Sequence, residues 1–245
     1  MKLKKLSLAL SLSLLASPML AWAQDAEQAA GDEPAAAEEE ASSNLSWNLS
    51  LTSDYVFRGI TQNDFQPALQ GGLDYAFGDT GLYVGVWASN VDFADPDGPD
   101  MEFDTYIGWN HDFNDDWNLD LSLVRYNYIG ERDAYGSIDY NEIIGKLTYA
   151  EMLTFTIGYA NDYSNADYSS LYYGLTGAWD VGNEFSINAG VGHSDFSDGV
   201  DGYTDYNIGV SRQFGPVNAA LNFYDTDIDG PRVSDRVVLS FTIEG

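Results

Sequence analysis

From residue 44 to the C-terminus the chain repeats one pattern. Apolar and polar residues alternate one by one, in segments bounded by turn-forming residues. Leu45, Trp47, Leu49 and Leu51 alternate with Ser46, Asn48, Ser50 and Thr52. Successive side chains of a strand point to opposite faces, so this period puts one face in an apolar medium and the other in a polar one. The pattern recurs with Phe103, Ile107 and Trp109 against Glu102, Asp104 and Asn110, and with Trp117, Leu119, Leu121 and Leu123 against Asn118, Asp120 and Ser122. It is still present at the end, where Val237, Leu239, Phe241 and Ile243 alternate with Arg236, Ser240 and Thr242. Around Leu82 to Ala88 apolar residues fall in both phases, and the facing of that strand stays open. The count is about twelve strands, each near the ~9–11 residues that a tilted membrane strand needs.

A soluble β-sandwich also alternates, so the connections decide. Short links at Gly78 to Gly81, Asn114 to Asp116, Ala150 to Glu151, Val181 to Asn183 and Gly215 to Pro216 have tight-turn chemistry. Between them fall longer links, at Arg58 to Asp64, Asp92 to Asp100, Gly130 to Ile138, Asn161 to Asp167, Asp195 to Gly202 and Asp225 to Arg232. Alternating short and long connections are the mark of a transmembrane antiparallel up-and-down β-barrel, with tight turns on the periplasmic rim and loops on the outer one. The fold class is therefore all-β, with residues 44–245 as one outer-membrane barrel. An even strand number puts both termini on the periplasmic rim. Phe77, Phe113, Trp117, Tyr149, Trp179, Phe185 and Phe214 are expected in the inner aromatic girdle. Tyr55, Phe57, Phe65, Tyr128, Tyr140, Tyr159, Tyr163 and Phe223 are expected in the outer one.

The N-terminus reads as a secretory signal peptide over residues 1–23. Lys2, Lys4 and Lys5 precede an apolar run from Leu6 to Leu15, and Ala21-Trp22-Ala23 offers a cleavage site after Ala23. No later stretch approaches the ~20 apolar residues of a membrane helix. Residues 24–43 are Ala, Glu and Asp with no Lys or Arg, which predicts an acidic disordered periplasmic linker. The chain has no cysteine, so disulfides and thiolate metal sites are excluded. A net charge of -29 argues against a nucleic-acid partner, since phosphate binding needs clustered Lys and Arg.

Three runs carry a family resemblance: 53–62 (SDYVFRGITQ), 67–75 (PALQGGLDY) and 81–91 (GLYVGVWASNV). Together they resemble the TorF-type porin family, also known as Gcw_chp proteins, and cover the first third of the chain best. The resemblance implies an outer-membrane barrel of channel function with no catalytic residues to carry over. The tail 240–245 (SFTIEG) departs from general outer-membrane practice by lacking a terminal aromatic, which leaves recognition by the barrel assembly machinery to Val237, Leu239 and Phe241.

Strand phase gives the candidate pore-lining residues. Asp54, Asp74, Glu102, Asp104, Asp120, Glu142 and Asp205 point to the lumen, against Arg58, Lys146 and Arg236. An excess of carboxylates in a narrow water path favours cations. The expectation is a porin-like channel for passive diffusion of small hydrophilic solutes or ions, cation-preferring, surrounded by outer-membrane lipid and lipopolysaccharide. Its alternative is a closed structural or surface-interaction barrel in which these charges pair and fill the lumen. In the stretch 53–62, Tyr55 and Phe57 continue the outward line of Leu45 to Leu51. That places Asp54 and Arg58, four residues apart, as an inward pair at the outer mouth, with Gly59 turning the chain away from the wall.

Other chemistry is poorly supplied, and no cofactor is expected. The run Asp225-Thr226-Asp227-Ile228-Asp229-Gly230 resembles the opening of a Ca²⁺ loop, but Arg236 stands where the bidentate acid belongs. His111 and His193 are the only histidines, both in the apolar phase and neither beside a nucleophile motif, so no enzyme is expected.

Overall fold

A computed structural model describes residues 44–245. The expected signal peptide, its Ala23 cleavage site and the acidic segment 24–43 lie outside the described residues. Twelve wall strands form a closed antiparallel barrel. In chain order these are β1 (Leu45–Thr52), β4 (Ala68–Ala76), β5 (Leu82–Asn90), β6 (Met101–Asn114), β7 (Trp117–Ile129), β8 (Tyr140–Tyr149), β9 (Leu153–Ala160), β10 (Ser170–Gly182), β11 (Phe185–Phe196), β12 (Tyr203–Phe214), β13 (Val217–Thr226) and β14 (Arg236–Glu244). Two short strands, β2 (Val56–Phe57) and β3 (Ile60–Thr61), pair only with each other. Each wall strand pairs with its chain neighbour, and β14 closes the cylinder on β1 from Thr52↔Ser240 to Asn48↔Glu244. The start of β1 and the end of β14 share a rim with the short turns, and the longer connections all lie on the opposite rim.

The exterior is apolar along the whole wall. Leu69, Ile143 and Val237 are 58 %, 60 % and 61 % exposed. In water each such side chain forgoes about 1.5–3 kcal/mol of burial; against lipid the same surface is already in its preferred medium. The girdle at the short-turn rim is present as expected, with Phe77, Phe113, Trp117, Tyr149, Trp179, Phe185 and Phe214 all exposed on the outside. Arg212 lies over both Phe185 and Phe214, its guanidinium 4.8 Å from each ring centre, so its charge rests on the faces of two rim aromatics.

The facing of β5 resolves toward Tyr83 and Trp87. Both are buried inside, while Leu82 stands exposed outside. The interior phase is aromatic here because Tyr83 packs edge-on against Tyr106 and Trp87 against Tyr55.

The outer aromatic belt needs correction. Tyr159 and Phe223 are on the outside, but Tyr55 and Tyr140 are buried in the barrel core, with Phe57, Tyr128 and Tyr163 packed against it. Tyr140 faces Tyr126 across β7 and β8, and the rings stack at 4.5 Å. Phe65 is 37 % exposed on the inward segment described next, beneath the Arg236 guanidinium at 4.9 Å.

The expectation for 53–62 is also overturned. After Ser53, whose backbone and hydroxyl still bond Leu239 of β14, the chain leaves the wall and folds into the lumen, returning only at Ala68. Tyr55 is therefore an interior residue, 2 % exposed, not a continuation of the outward line of β1. Arg58 and Gly59 both have positive φ, +46° and +78°, and form the two-residue loop between β2 and β3. A loop of this length with both residues at positive φ matches the right-handed twist of the strands it joins, and glycine at its second position is favoured. Gly59 thus makes a hairpin tip pressed to the wall, where a Cβ would strike Thr226 Cγ2 and come within 2.9 Å of Asp205 Cβ.

Candidate functional site

The segment between β1 and β4 is a plug in the half of the lumen nearer the longer connections, and the charged wall residues are arranged around it. Arg58 at its tip donates from Nη2 to Glu142 Oε1 of β8 at 2.7 Å. Its guanidinium also lies 4.2 Å from the Tyr172 ring and 4.6 Å from that of Phe57. Burial is the largest influence and works against the charged form of Arg58, but the Glu142 carboxylate together with Tyr126, Tyr163 and Tyr140 outweighs it and raises the pKa above the ordinary arginine value. Tyr126 donates to the other oxygen of Glu142 at 3.1 Å. At the base of the plug, Asp54 accepts from Thr61 Oγ1 and, at 3.4 Å, from Nη1 of Arg236, the first residue of β14. Burial raises the Asp54 pKa, opposed by these two donors. Arg232, in the loop before β14, donates from Nη2 and Nε to the Thr61 carbonyl at 2.7 and 3.1 Å.

Asp54 and Arg58 are therefore not partners. Each ion pair joins the plug to a different part of the wall, one on β8 and one on the closing strand. Along a two-residue hairpin arm the two side chains diverge, whereas a straight strand would have stacked them on one face.

The remaining candidates fall at two depths. Glu102 and Asp104 of β6 and Asp205 of β12 lie beside the plug, each 2 % exposed. Asp74 of β4 lies nearer the short-turn rim and accepts from the Tyr106 hydroxyl at 2.5 Å. Asp120 of β7 accepts from the Tyr83 hydroxyl at 2.8 Å and faces Lys146 of β8 in register. Asp120 and Lys146 are only partly buried, as are Ser46, Asn48, Ser50, Asn110, Asn118, Thr148, Ser240 and Thr242 on the same interior face. These form a polar vestibule reaching from the short-turn rim to the underside of the plug. All ten sequence-derived candidates face the interior, seven around the plug and three below it.

Sequence phase missed the aromatic filling. Tyr83, Tyr106, Tyr126, Tyr140, Tyr172 and Tyr203 all stand in the inward phase and are buried. Their signal was available, since each breaks the polar phase of its strand with a ring. Arg232 and Thr61 carry no such signal, because their roles depend on contacts across 171 residues of chain.

The loop aspartates serve turns and strand ends. Asp92 Oδ1 accepts from Ala94 N and Asp95 Oδ1 from Asp97 N, at 2.8 and 2.9 Å. Asp227 Oδ1 accepts from Thr204 N at 2.7 Å, and that amide holds its pKa below the usual carboxylate value. Among the described residues no group of three or more His, Cys, Asp or Glu is placed to hold a metal ion. His111 stacks on Trp109 on the outside of the wall, and His193 contacts Thr204 and Asp195 there.

A family model described as "Bacterial protein of unknown function (Gcw_chp)" matches residues 36–242. No curated protein matches the chain. Among solved structures, the NanC porin is similar at a TM-score of 0.51 and 9 % identity, over 81 % of this chain and 98 % of that one. A membrane protein solved in work on in-meso crystallization is similar at a TM-score of 0.52 and 9 % identity, over 82 % of this chain and 83 % of that one. The KdgM porin aligns at a TM-score of 0.46 and 7 % identity, over 82 % of this chain and 96 % of that one. At such identities the likeness is one of fold, and the fold is that of a porin-like outer-membrane β-barrel.

Proposed function

The chain belongs to the Gcw_chp family of bacterial proteins, and we propose that it is an outer-membrane channel for small hydrophilic solutes whose outer half is stoppered by residues 53–67. The observation that carries this reading is the vestibule. A barrel built only as a structural element would have no reason to keep a partly exposed polar interior from Ser46 to Thr242 beneath an apolar exterior. The NanC porin shares the fold, which is compatible with passage through the lumen. Orientation follows the general rule for such barrels: short turns and termini in the periplasm, longer loops outside, lipopolysaccharide against the outer wall, and insertion by the barrel assembly machinery after cleavage at Ala23. The name TorF-type porin belongs to this proposal.

Selectivity is part of it. Inside the wall, Asp54 pairs with Arg236 and Glu142 with Arg58, and Lys146 faces Asp120. Asp74, Glu102, Asp104 and Asp205 have no ion pair among the described residues. The interior carries more acid than base, and a low-dielectric wall focuses whatever charge faces the water path, so cations are preferred.

A second reading has its own support. The plug is fixed by two interior ion pairs, which favours a closed barrel used for structure or surface contacts. Planar bilayers separate the two. Wild-type protein and the plug-released variant Arg58→Ala/Arg236→Ala are reconstituted side by side. Steps of conductance that are small in the wild type and larger in the variant support the stoppered channel. Silence from both, with the barrels shown to be folded and inserted, leaves the structural reading.

A further inference from the structure

Glu102 and Asp104 stand two residues apart on the inward face of β6, so their Cα atoms are about 7 Å apart. Each is 2 % exposed, and Glu102 Oε2 and Asp104 Oδ1 have no hydrogen-bond partner among the described residues. Neither joins an ion pair among the described residues. The two buried arginines, Arg58 and Arg236, are already committed to Glu142 and Asp54. What surrounds the pair is aromatic or hydroxylic. Ser89 and Tyr128 flank Glu102 on the neighbouring strands, and Trp87 and Tyr126 flank Asp104. Tyr55 of the plug closes the top, packed on Trp87 at 5.4 Å with its hydroxyl against Glu102.

Two carboxylates taken out of water without a counter-charge are among the costliest arrangements a protein can hold. They must be neutralised by a bound cation or by protons. The donors on offer are carboxylate and phenol oxygens, with no nitrogen or sulfur. Hard divalent cations take this set: two carboxylates match a double positive charge, and bidentate binding with a hydroxyl and water fills the shell Ca²⁺ favours. With only two acidic residues the site falls below a three-acid cluster, which agrees with the absence of such a cluster among the described residues.

We propose that Glu102 and Asp104 form a Ca²⁺-type cation site inside the barrel, capped by Tyr55, so that the bound ion ties the plug to the β6 wall.

The test uses the full barrel, refolded and stripped with a chelator, and Tb³⁺ as the probe. Trp87 and the surrounding tyrosines are placed to sensitise its luminescence. Tb³⁺ emission that Ca²⁺ competes away, that is lost in Glu102→Gln/Asp104→Asn and dimmed in Trp87→Phe, is the expected result. Ca²⁺ should also raise the melting temperature of the wild type and leave that of Glu102→Gln/Asp104→Asn unmoved. Because this variant removes buried charge, it should melt no lower than the wild type in chelator, which guards against a mere folding defect. Two results overturn the proposal. One is emission that survives Glu102→Gln/Asp104→Asn but disappears in Asp95→Asn/Asp97→Asn or Asp227→Asn/Asp229→Asn, which moves the ion to the outer loops. The other is a wild type with neither emission nor a Ca²⁺-dependent melting shift, which means the carboxyls hold protons instead.

Discussion

Arg58 Nη2 lies 2.7 Å from Glu142 Oε1, joining two residues 84 positions apart with side chains 6 % and 0 % exposed. Removing one member of so buried a pair leaves the other charged and dry, at a cost of about 3–5 kcal/mol. Glu142→Gln should therefore lower the unfolding free energy by that order in detergent or bilayer titrations and raise conductance by freeing the plug tip. Arg58→Met/Glu142→Gln should regain most of the stability but keep the raised conductance.

Gly59 offers a steric route to the same state. Its φ of +78° and the closeness of Thr226 and Asp205 leave no place for a side chain. Gly59→Val adds about 1–2 kcal/mol of left-handed backbone strain and a clash of similar size. The expected outcome is a folded barrel, unchanged in strand content by circular dichroism, whose 53–67 segment becomes open to limited proteolysis from outside. If the segment stays protected, the plug does not depend on the tip's fit to the wall.

Membrane embedding predicts an asymmetry between adjacent residues. Leu239 faces outward at mid-strand and Ser240 inward. Leu239→Arg should cost about 2–4 kcal/mol in lipid, whereas Ser240→Arg should cost much less and act on conductance instead. Equal effects in vesicle folding assays would argue that the wall does not contact hydrocarbon.

Charge in the vestibule should be legible in ion selectivity. At about 7 Å in a watery path a unit charge is worth about 0.6 kcal/mol, close to RT. In the plug-released background, Asp120→Asn should therefore reduce the cation-to-anion permeability ratio about two- to threefold, read from reversal potentials in a salt gradient. Lys146→Gln should raise it by a comparable factor.

The wall was legible in the sequence because its cause is local. Leu45 to Leu51 and Val237 to Ile243 each show which side meets lipid without help from the rest of the chain. Inward facing of the charged candidates follows from the same period. The plug was not legible, because what holds it is remote. Nothing near Arg58 indicates that its partner is Glu142, and nothing near Asp54 points to Arg236. The tyrosines misled for a related reason. A ring near a strand end suits either an interfacial belt or a packed lumen, and only its phase separates the two. Tyr140 and Tyr128 share the phase of Glu142 and Glu102, and that phase outweighs their position near the rim.

The seam between β1 and β14 has a bearing on how the barrel comes into being. Asp54 follows closely on the first wall strand, while Arg236 begins the last, with Arg232 just ahead of it. The chemistry that seats the stopper at its base therefore arrives with the final piece of wall. In the stoppered channel proposed above, the base of the plug is seated only when the last strand closes the wall, so sealing coincides with completion of the barrel.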